Sequence, residues 1–290
     1  MQWGGTIGSP LRLCKREWRA VFLSAWPSHC LSGTEGALPG GEGGSALALC
    51  KARSAQWPAS NAGMDGPSQH PPLFAIHLID PGNAMKLYHF RRSPYSSRCR
   101  MLINFKGLDI ELIEPPEDFS SIHPVARIPS LHIDALVIPE AEVICEYLED
   151  QFPTPSLRAE NPAKRALVRT INRINDIYIL APMFDLAPHV EMQSRDQAVV
   201  EQKFEELVLG LVRLNHFIEG PDYAVGNTLT LADCALVPTL YVMTRYLPSF
   251  DRADQLKKHP KISSYWERIQ HNPRAVPIID DLAAAMRDRL

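Results

Sequence analysis

The stretch RRSPYSSRCR, from Arg91 to Arg100, decides how this chain folds. It follows the short apolar run KLYHF and leads into an apolar helical run that stops at Gly107. Serine is favoured at the residue that caps a helix, proline at the first helical position, and glycine just past the helix end. Ser93 and Pro94 therefore predict a strand, a turn and a helix over residues 94–105.

The residues after Gly107 continue an α/β pattern. DIELI, at 109–113, alternates as a strand does, and SLHI and ALVI, at 130–133 and 135–138, predict a hairpin around Asp134. Residues 140–151 place apolar side chains on one face at helical spacing, namely Val143, Ile144, Tyr147 and Leu148. This order of strands and helices predicts a small α/β domain over residues 85–153.

The remainder of the chain is predicted to be helical. FPTPSLRAENP, which begins at Phe152, has three prolines among polar residues and predicts a linker. An apolar stripe with steps of three or four residues is typical of a helix in a bundle core; it consists of Phe204, Leu207, Leu211, Leu214 and Ile218. Further helices are predicted over 260–270 and 278–289. These patterns predict an all-helical domain over residues 160–290.

Residues 1–84 differ in composition from the rest of the chain. Twelve of the 16 glycines and four of the five tryptophans precede Met85, and no helical or strand period is sustained there. Three interpretations remain open for this extension. It is a disordered tail, a targeting peptide, or a segment assigned upstream of a true start at Met85.

Charge and cysteine usage exclude several classes of protein. The net charge of −3 lacks the basic excess of a nucleic-acid-binding domain, and no apolar run approaches the ~20 residues of a membrane span. Six widely spaced cysteines without a C-x-x-C pair predict reduced thiols, with neither a disulfide framework nor a metal site. They are Cys14, Cys30, Cys50, Cys99, Cys145 and Cys234.

Three stretches contain candidate binding or catalytic residues. Ser93 is either a simple helix cap or a hydroxyl that stabilises a thiolate brought by a ligand, because helix N-termini favour anions. Pro129 is either a trans proline at a strand edge or a cis proline that turns the main chain of Ile128 towards an extended peptide ligand. Glu140 is either a solvated acid in a first helical turn or a partner for a ligand ammonium.

Thr230 and Asp233 have a structural interpretation. They form a T-x-x-D pattern at the start of the largely apolar run that begins at Leu231. This pattern is typical of a capping box, in which each residue satisfies a main-chain N–H of the other. It predicts the start of a buried helix over residues 231–246.

Four motifs in this order resemble the soluble glutathione S-transferase family. KLYHFRRSPYSSRCRMLINFKGL resembles the first strand and helix of its serine-type, zeta-like or omega-like bacterial members. ARIPSL resembles the family's cis-proline strand, IPEAEVICEYLED its E-S-x-A-I-x-x-Y-L segment, and GNTLTLADCALVP its C-terminal capping box. The resemblance covers residues 85–282. It implies a thioredoxin-like N-terminal domain followed by an all-α C-terminal domain.

The resemblance also implies roles for individual residues. Ser93 would face the glutathione sulfur as the catalytic hydroxyl, and Ile128, before the cis proline Pro129, would pair with the cysteinyl main chain. Glu140 and the first-turn N–H of Ala141 would hold the γ-glutamyl end, and Arg127 would meet the glycyl carboxylate. Glutathione is then a co-substrate whose thiolate attacks an apolar electrophile, in a homodimeric, cytoplasmic detoxification enzyme without a metal.

The sequence departs from the family pattern at two places. Residue 141 is usually serine in the family and is alanine here. Zeta-type members have S-S-C where this chain has Ser93-Pro94-Tyr95, and omega-type members have cysteine in place of Ser93. Ala141 motivates one alternative to the transferase, a non-catalytic binding or scaffold protein. The zeta-type difference counts against isomerase activity, but a glutathione-dependent isomerase or reductive dehalogenase uses the same thiolate and stays open as a further alternative.

Overall fold

Four short strands form one mixed sheet near the start of the region that the computed structural model describes, residues 84–119 and 125–287. The strands are β1 (Met85–Tyr88), β2 (Glu111–Ile113), β3 (Ser130–Ile133) and β4 (Leu136–Pro139), and their order in the sheet is β2-β1-β3-β4. β1 runs parallel to β2 and antiparallel to β3, and β3 runs antiparallel to β4. Leu87, Leu131 and Ile133 bury the sheet centre.

Helix α1 (Pro94–Lys106) starts where its sequence predicts and ends one residue later, directly before Gly107. The Ser93 Oγ accepts a hydrogen bond from the Ser96 N–H at 3.2 Å, and Gly107 closes the helix with a φ of 64°. A positive φ favours glycine, which lacks the clashing Cβ. Helix α1 packs against α2 (Ala141–Gln151) and against a central helix of the C-terminal region.

The C-terminal region is helical throughout its regular elements. Its helices are α3 (Pro162–Ile174), α4 (Ala181–Leu186), α5 (Gln197–Phe217), α6 (Leu231–Tyr246), α7 (Pro260–Ile269) and α8 (Val276–Arg287). A π-helical segment, Asn175–Leu180, joins α3 to α4, and short 3₁₀ turns lie at Ala187–His189, Met192–Ser194, Leu247–Phe250 and Gln255–Lys258. Every member of the predicted apolar stripe, which runs along α5 to its C-cap Ile218, is buried.

A buried ion pair joins the end of α1 to the end of α2 and also holds the segment before α3. The Lys106 Nζ lies 2.6 Å from the Glu149 Oε1, and both side chains are inaccessible to solvent. Lys106 also donates to the carbonyl oxygens of Phe152 and Pro155 at 2.7 and 2.6 Å. Glu149 in turn accepts from the Leu157 N–H at 3.1 Å. Because each charge is paired and hydrogen-bonded, the pair fixes the linker against α1 and α2.

The predicted fold class is confirmed, with small shifts at element ends. Helix α2 begins at Ala141 rather than at residue 140, α7 ends at Ile269, and α8 spans Val276–Arg287, two residues earlier than predicted. The interpretations of residues 1–84 lie outside the described residues, apart from the last position. The boundaries of the two domains, 85–153 and 160–290, stay predictions. In the described ranges, no helix has both the length and the apolar character needed to span a bilayer.

Candidate functional site

The register of the sheet brings three separate stretches of the chain to one edge. Tyr88, at the end of β1, lies opposite Ser130, at the start of β3. Ser130 also lies opposite Pro139, at the end of β4. One end of the strands, called the sheet edge below, therefore contains three parts of the chain: the loop that leads to Ser93, the residues before Ser130 and the residue after Pro139.

Ser93 is the N-cap residue of α1, and its hydroxyl can still donate a hydrogen bond. Its Oγ accepts from the Ser96 N–H, and its main-chain carbonyl accepts from the Ser97 N–H at 2.9 Å. Among the described residues, neither the Ser93 hydroxyl hydrogen nor the Tyr95 N–H has a partner, and Pro94 has no N–H. A ligand anion at this helix end can therefore receive two donors and the favourable end of the helix dipole. Ser93 itself is 4% exposed.

A buried arginine, Arg100, helps to hold the loop before Ser93 in place. The Arg100 guanidinium donates to the Arg91 carbonyl at 2.6 Å and pairs with Asp281 of α8, and the Arg91 side chain also pairs with Asp281, at 2.7 Å. Burial, and then Arg91, lowers the pKa of Arg100 to about 10. Burial, and then Arg100, lowers the pKa of His89 to about 4, so His89 is neutral at pH 7.

The strand edge beside Ser93 has main-chain groups available to a ligand. The Ile128–Pro129 peptide bond is cis, and Pro129 is buried next to Ser130. Among the described residues, the N–H and C=O of Ile128 have no hydrogen-bond partner, and Ile128 is half-buried. An extended peptide can pair with both groups as an added strand does. The residue before Ile128, Arg127, is exposed.

Glu140 and Ala141 form the third part of this edge. Glu140 is exposed and precedes α2 with a φ of 70° and a ψ of 118°. Such a φ in a non-glycine residue costs about 1–3 kcal/mol, and this kind of strain is often found at functional sites. The Glu140 carboxylate makes no capping bond. The first turn of α2 therefore keeps N–H groups without a side-chain cap, beside a free carboxylate.

A groove of about 680 Å³ extends from this edge between α2 and α3. It is lined by Tyr95 of α1, by Glu140, Ala141, Glu142, Val143, Glu146 and Asp150, and by Arg158, Arg169, Arg173 and Asp176. Ser93 does not line the groove; it lies two residues before Tyr95. Acidic and basic side chains both face the groove, and several of them pair with one another: Arg158 with Glu146 and Asp150, and Arg169 with Glu146.

An ion pair beneath the groove was not predicted from the sequence. Arg98 of α1 is 1% exposed and makes two hydrogen bonds to Asp176 of the π-helical segment, one of them at 3.1 Å. Burial opposes the charge of Arg98, but the neighbouring Asp176 outweighs it and raises the pKa of Arg98 above its ordinary value, so Arg98 stays charged. The Arg98 guanidinium lies 5.9 Å from the centre of the Tyr95 ring. The pair thus links α1 to the helical region directly behind Tyr95.

Tyr178, Met183 and Phe184, at the start of the helical region, have different surroundings in the structure. Phe184 stacks on Tyr95 with ring centres 5.6 Å apart and planes within 1°. Met183 is 1% exposed and belongs to the core. Tyr178 lies under the Arg213 guanidinium, at 4.4 Å, and its main chain packs against Gly210 of α5. Only Phe184 is therefore brought to the start of α1.

Thr230, Asp233 and the described cysteines lie in surroundings that point to structural roles. Thr230 and Asp233 form a reciprocal capping box at the start of α6, and Asp233 also accepts from the Tyr265 hydroxyl at 3.0 Å. Cys99, Cys145 and Cys234 are free and buried; the other three cysteines lie outside the described residues. Across the described ranges, no cluster of three or more His, Cys, Asp or Glu side chains is arranged to hold a metal ion.

Two family models match this arrangement of elements. The N-terminal domain model of glutathione S-transferase matches residues 87–156, and the C-terminal domain model matches residues 177–273. The chain belongs to the glutathione S-transferase family. The resemblance inferred from the four motifs is therefore confirmed. The N-terminal match includes Ser93, Ile128 and Glu140, and the C-terminal match includes the capping box.

Several relatives match this transferase over most of their own length. Maleylacetoacetate isomerase of Mus musculus is 30% identical over 172 residues, which are 55% of this chain and 78% of the relative. A stringent starvation protein A homolog of Haemophilus ducreyi is 32% identical over 168 residues, 56% of this chain and 75% of the relative. Glutathione S-transferase D7 of Drosophila melanogaster is 27% identical over 218 residues, 69% and 96% of the two chains.

Solved structures show the same fold at lower identity. A beta-etherase from Sphingobium sp. superposes with a TM-score of 0.57 at 23% identity, covering 68% of this chain and 99% of the other. A glutathione S-transferase from Methylobacillus flagellatus with glutathione bound superposes with a TM-score of 0.58 at 20% identity, covering 67% and 98%. These similarities concern the fold of the transferase.

Proposed function

We propose that this glutathione transferase binds glutathione along the sheet edge and holds its thiol as a thiolate beside Ser93. The observation that supports this most strongly is the strand register. It places the N-terminus of α1, the free main-chain groups of Ile128 and the N-terminus of α2 side by side. Glutathione is an extended tripeptide with a thiol in its middle and a charged group at each end. Its thiol matches the N-terminus of α1, its central main chain matches Ile128, and its γ-glutamyl end matches the N-terminus of α2.

The parts of the ligand are assigned by chemistry. The cysteinyl main chain pairs with the N–H and C=O of Ile128, because an extended peptide satisfies both groups. The γ-glutamyl ammonium meets the Glu140 carboxylate, and the adjacent carboxylate meets the N–H groups of the first turn of α2, including Ala141. The glycyl carboxylate meets Arg127.

The thiol is activated by the start of α1. A free cysteine thiol has a pKa of about 8.5, and a helix N-terminus lowers it by favouring the anion. The Ser93 hydroxyl and the Tyr95 N–H donate to the sulfur, and each pKa unit of depression corresponds to about 1.4 kcal/mol. The thiolate then attacks an electrophilic carbon of an apolar second substrate, which packs against Phe184. The new carbon–sulfur bond forms as the leaving group departs with its electron pair.

Retention on immobilised glutathione, combined with turnover of a chlorodinitrobenzene, tests this proposal. Wild-type protein should be retained, should elute with free glutathione, and should release chloride as the conjugate forms. Protein that is retained without turnover would reject the transferase reaction and keep the binding site. Protein that is not retained would reject the site.

A second candidate function is glutathione-dependent isomerisation. It is favoured by the similarity to maleylacetoacetate isomerases of Mus musculus and Pseudomonas aeruginosa, which are 30% and 29% identical to this chain. The same thiolate would add to a conjugated cis double bond, allow rotation about the resulting single bond, and leave again. Turnover of maleylacetoacetate in the presence of glutathione separates this candidate from conjugation.

A non-catalytic binding protein is the third candidate. Ala141 favours it, because a lost hydrogen bond to a charged ligand weakens binding by roughly 1.5–3 kcal/mol. The similarity to stringent starvation protein A homologs also favours it, since that name states no catalytic activity. Absence of turnover with every electrophile tested, in protein that binds a partner, would support this candidate.

The proposal includes a homodimer and a cytoplasmic, detoxifying role. Exposed apolar side chains support an interface, since Ile177, Tyr178, Leu209 and Val212 are each 41–52% exposed on the π-helical segment and on α5. Light scattering should give twice the mass of the chain. A monomer at micromolar concentration would reject the dimer without affecting the site.

A further inference from the structure

The Tyr95 ring faces the first turn of α2. Tyr95 and Cys99 are four residues apart on α1 and therefore share a face. The Cys99 Sγ lies 3.6 Å from the Ala141 carbonyl oxygen, which places that face against the start of α2. Tyr95, Glu140 and Ala141 also line the same groove. The phenol is thus next to the helix end proposed to hold the γ-glutamyl group.

Neighbouring side chains fix the position of the Tyr95 ring but do not bind its hydroxyl. The ring stacks on Phe184, and the Arg98 guanidinium, held by Asp176, lies over the ring at 5.9 Å from its centre. Among the described residues, the Tyr95 hydroxyl has no hydrogen-bond partner. Tyr95 is half-buried and lines the groove, and its hydroxyl is not among the buried polar atoms that lack a partner. The hydroxyl is therefore accessible to a ligand in the groove.

The electrostatic surroundings keep the Tyr95 hydroxyl protonated. Burial, and then the negative charge of Asp176, raises the pKa of Tyr95 well above its ordinary value. Glu140 acts in the same direction, while Arg98 and Arg127 oppose it. A phenol with a raised pKa is a hydrogen-bond donor at neutral pH, and a ligand carboxylate is an acceptor without hydrogens.

We propose that the Tyr95 hydroxyl replaces the hydroxyl that Ala141 lacks and donates to the γ-glutamyl carboxylate of glutathione. Tyr95 is then a specificity-determining residue that reads this carboxylate from α1, across the groove from α2. The inference rests on the proposed function, because it requires glutathione to lie along the sheet edge. It explains how the alanine at position 141 is compatible with a working binding site.

Calorimetric titration of wild type and Tyr95→Phe with two ligands tests this inference. One ligand is glutathione, and the other is 4-aminobutanoyl-cysteinyl-glycine, which lacks only the γ-glutamyl carboxylate. Tyr95→Phe keeps the stacked ring and should weaken glutathione binding by about tenfold or more, with little effect on the decarboxylated ligand. Adding Ala141→Ser to Tyr95→Phe should restore much of the lost affinity.

The control is Tyr147→Phe, which removes another phenol hydroxyl, on α2, that has no partner among the described residues. It should leave both affinities unchanged, and the melting temperature of Tyr95→Phe should equal that of wild type. Equal losses for the two ligands, or no loss with glutathione, would overturn the role of Tyr95 while the site itself stands. Wild-type protein that binds neither ligand would overturn the proposed function as well.

Discussion

Replacing Ser93 by alanine should separate its structural and chemical roles. The hydroxyl accepts a hydrogen bond from the Ser96 N–H, and loss of such a cap costs about 1 kcal/mol of folding free energy. A hydrogen bond to a charged sulfur is worth roughly 1.5–3 kcal/mol. Since one pKa unit equals about 1.4 kcal/mol, the thiol pKa of bound glutathione should rise by about 1–2 units. Turnover near pH 6.5 should fall about 10- to 100-fold.

The assay is the ultraviolet absorbance of the bound thiolate, titrated over pH for wild type and Ser93→Ala. Asn161→Ala is the matched control, because Asn161 caps α3 by accepting from the Lys164 N–H at 2.8 Å. It should lose a similar amount of stability, measured by urea unfolding, and keep the wild-type thiol pKa. A Ser93→Ala protein with the wild-type thiol pKa would refute the chemical role and leave Ser93 a helix cap.

Three further predictions concern stability. In Gly210→Ala the new Cβ would lie 2.0 Å from the Tyr178 carbonyl oxygen, so the free energy of unfolding in urea should fall by at least about 1–3 kcal/mol; an unchanged value would show that the two segments move apart freely. Lys106→Met strands the buried Glu149 carboxylate and should cost about 3–5 kcal/mol, whereas adding Glu149→Gln should recover part of the loss in the same assay; no recovery would contradict the pairing. Because the folded pKa of His89 is lowered to about 4, the unfolded chain takes up the proton first as pH falls below about 6.5. Wild type should therefore lose about 2 kcal/mol of stability between pH 7 and 5 that His89→Phe does not lose; parallel pH profiles would contradict the burial of a neutral His89.

Local sequence rules predicted most of the fold. Ser93, Pro94 and Gly107 mark the ends of α1 because capping and left-handed backbone conformations depend on neighbouring residues alone. The hairpin around Asp134 and the buried stripe on α5 follow from periodicity in the same way. The π-helical segment Asn175–Leu180 was missed, because its apolar pattern continues that of α3 and gives no local sign of the wider turn.

The charged contacts around the candidate site could not be predicted. Arg98 pairs with Asp176, which is 78 residues away, and Arg100 pairs with Asp281, which is 181 residues away. No local rule selects these partners, although two arginines in an otherwise buried helix already indicate that each needs an acid. The stacking of Phe184 on Tyr95 could not be predicted for the same reason. It depends on how α4 packs against α1, which a single sequence does not specify.

A crystal structure of the protein with glutathione bound tests the central claim most directly. The sulfur should lie within hydrogen-bond distance of the Ser93 hydroxyl, and the cysteinyl main chain should pair with the N–H and C=O of Ile128. The γ-glutamyl group should lie between Glu140 and Tyr95. Glutathione bound elsewhere, or bound here with its sulfur turned away from the start of α1, would contradict the account.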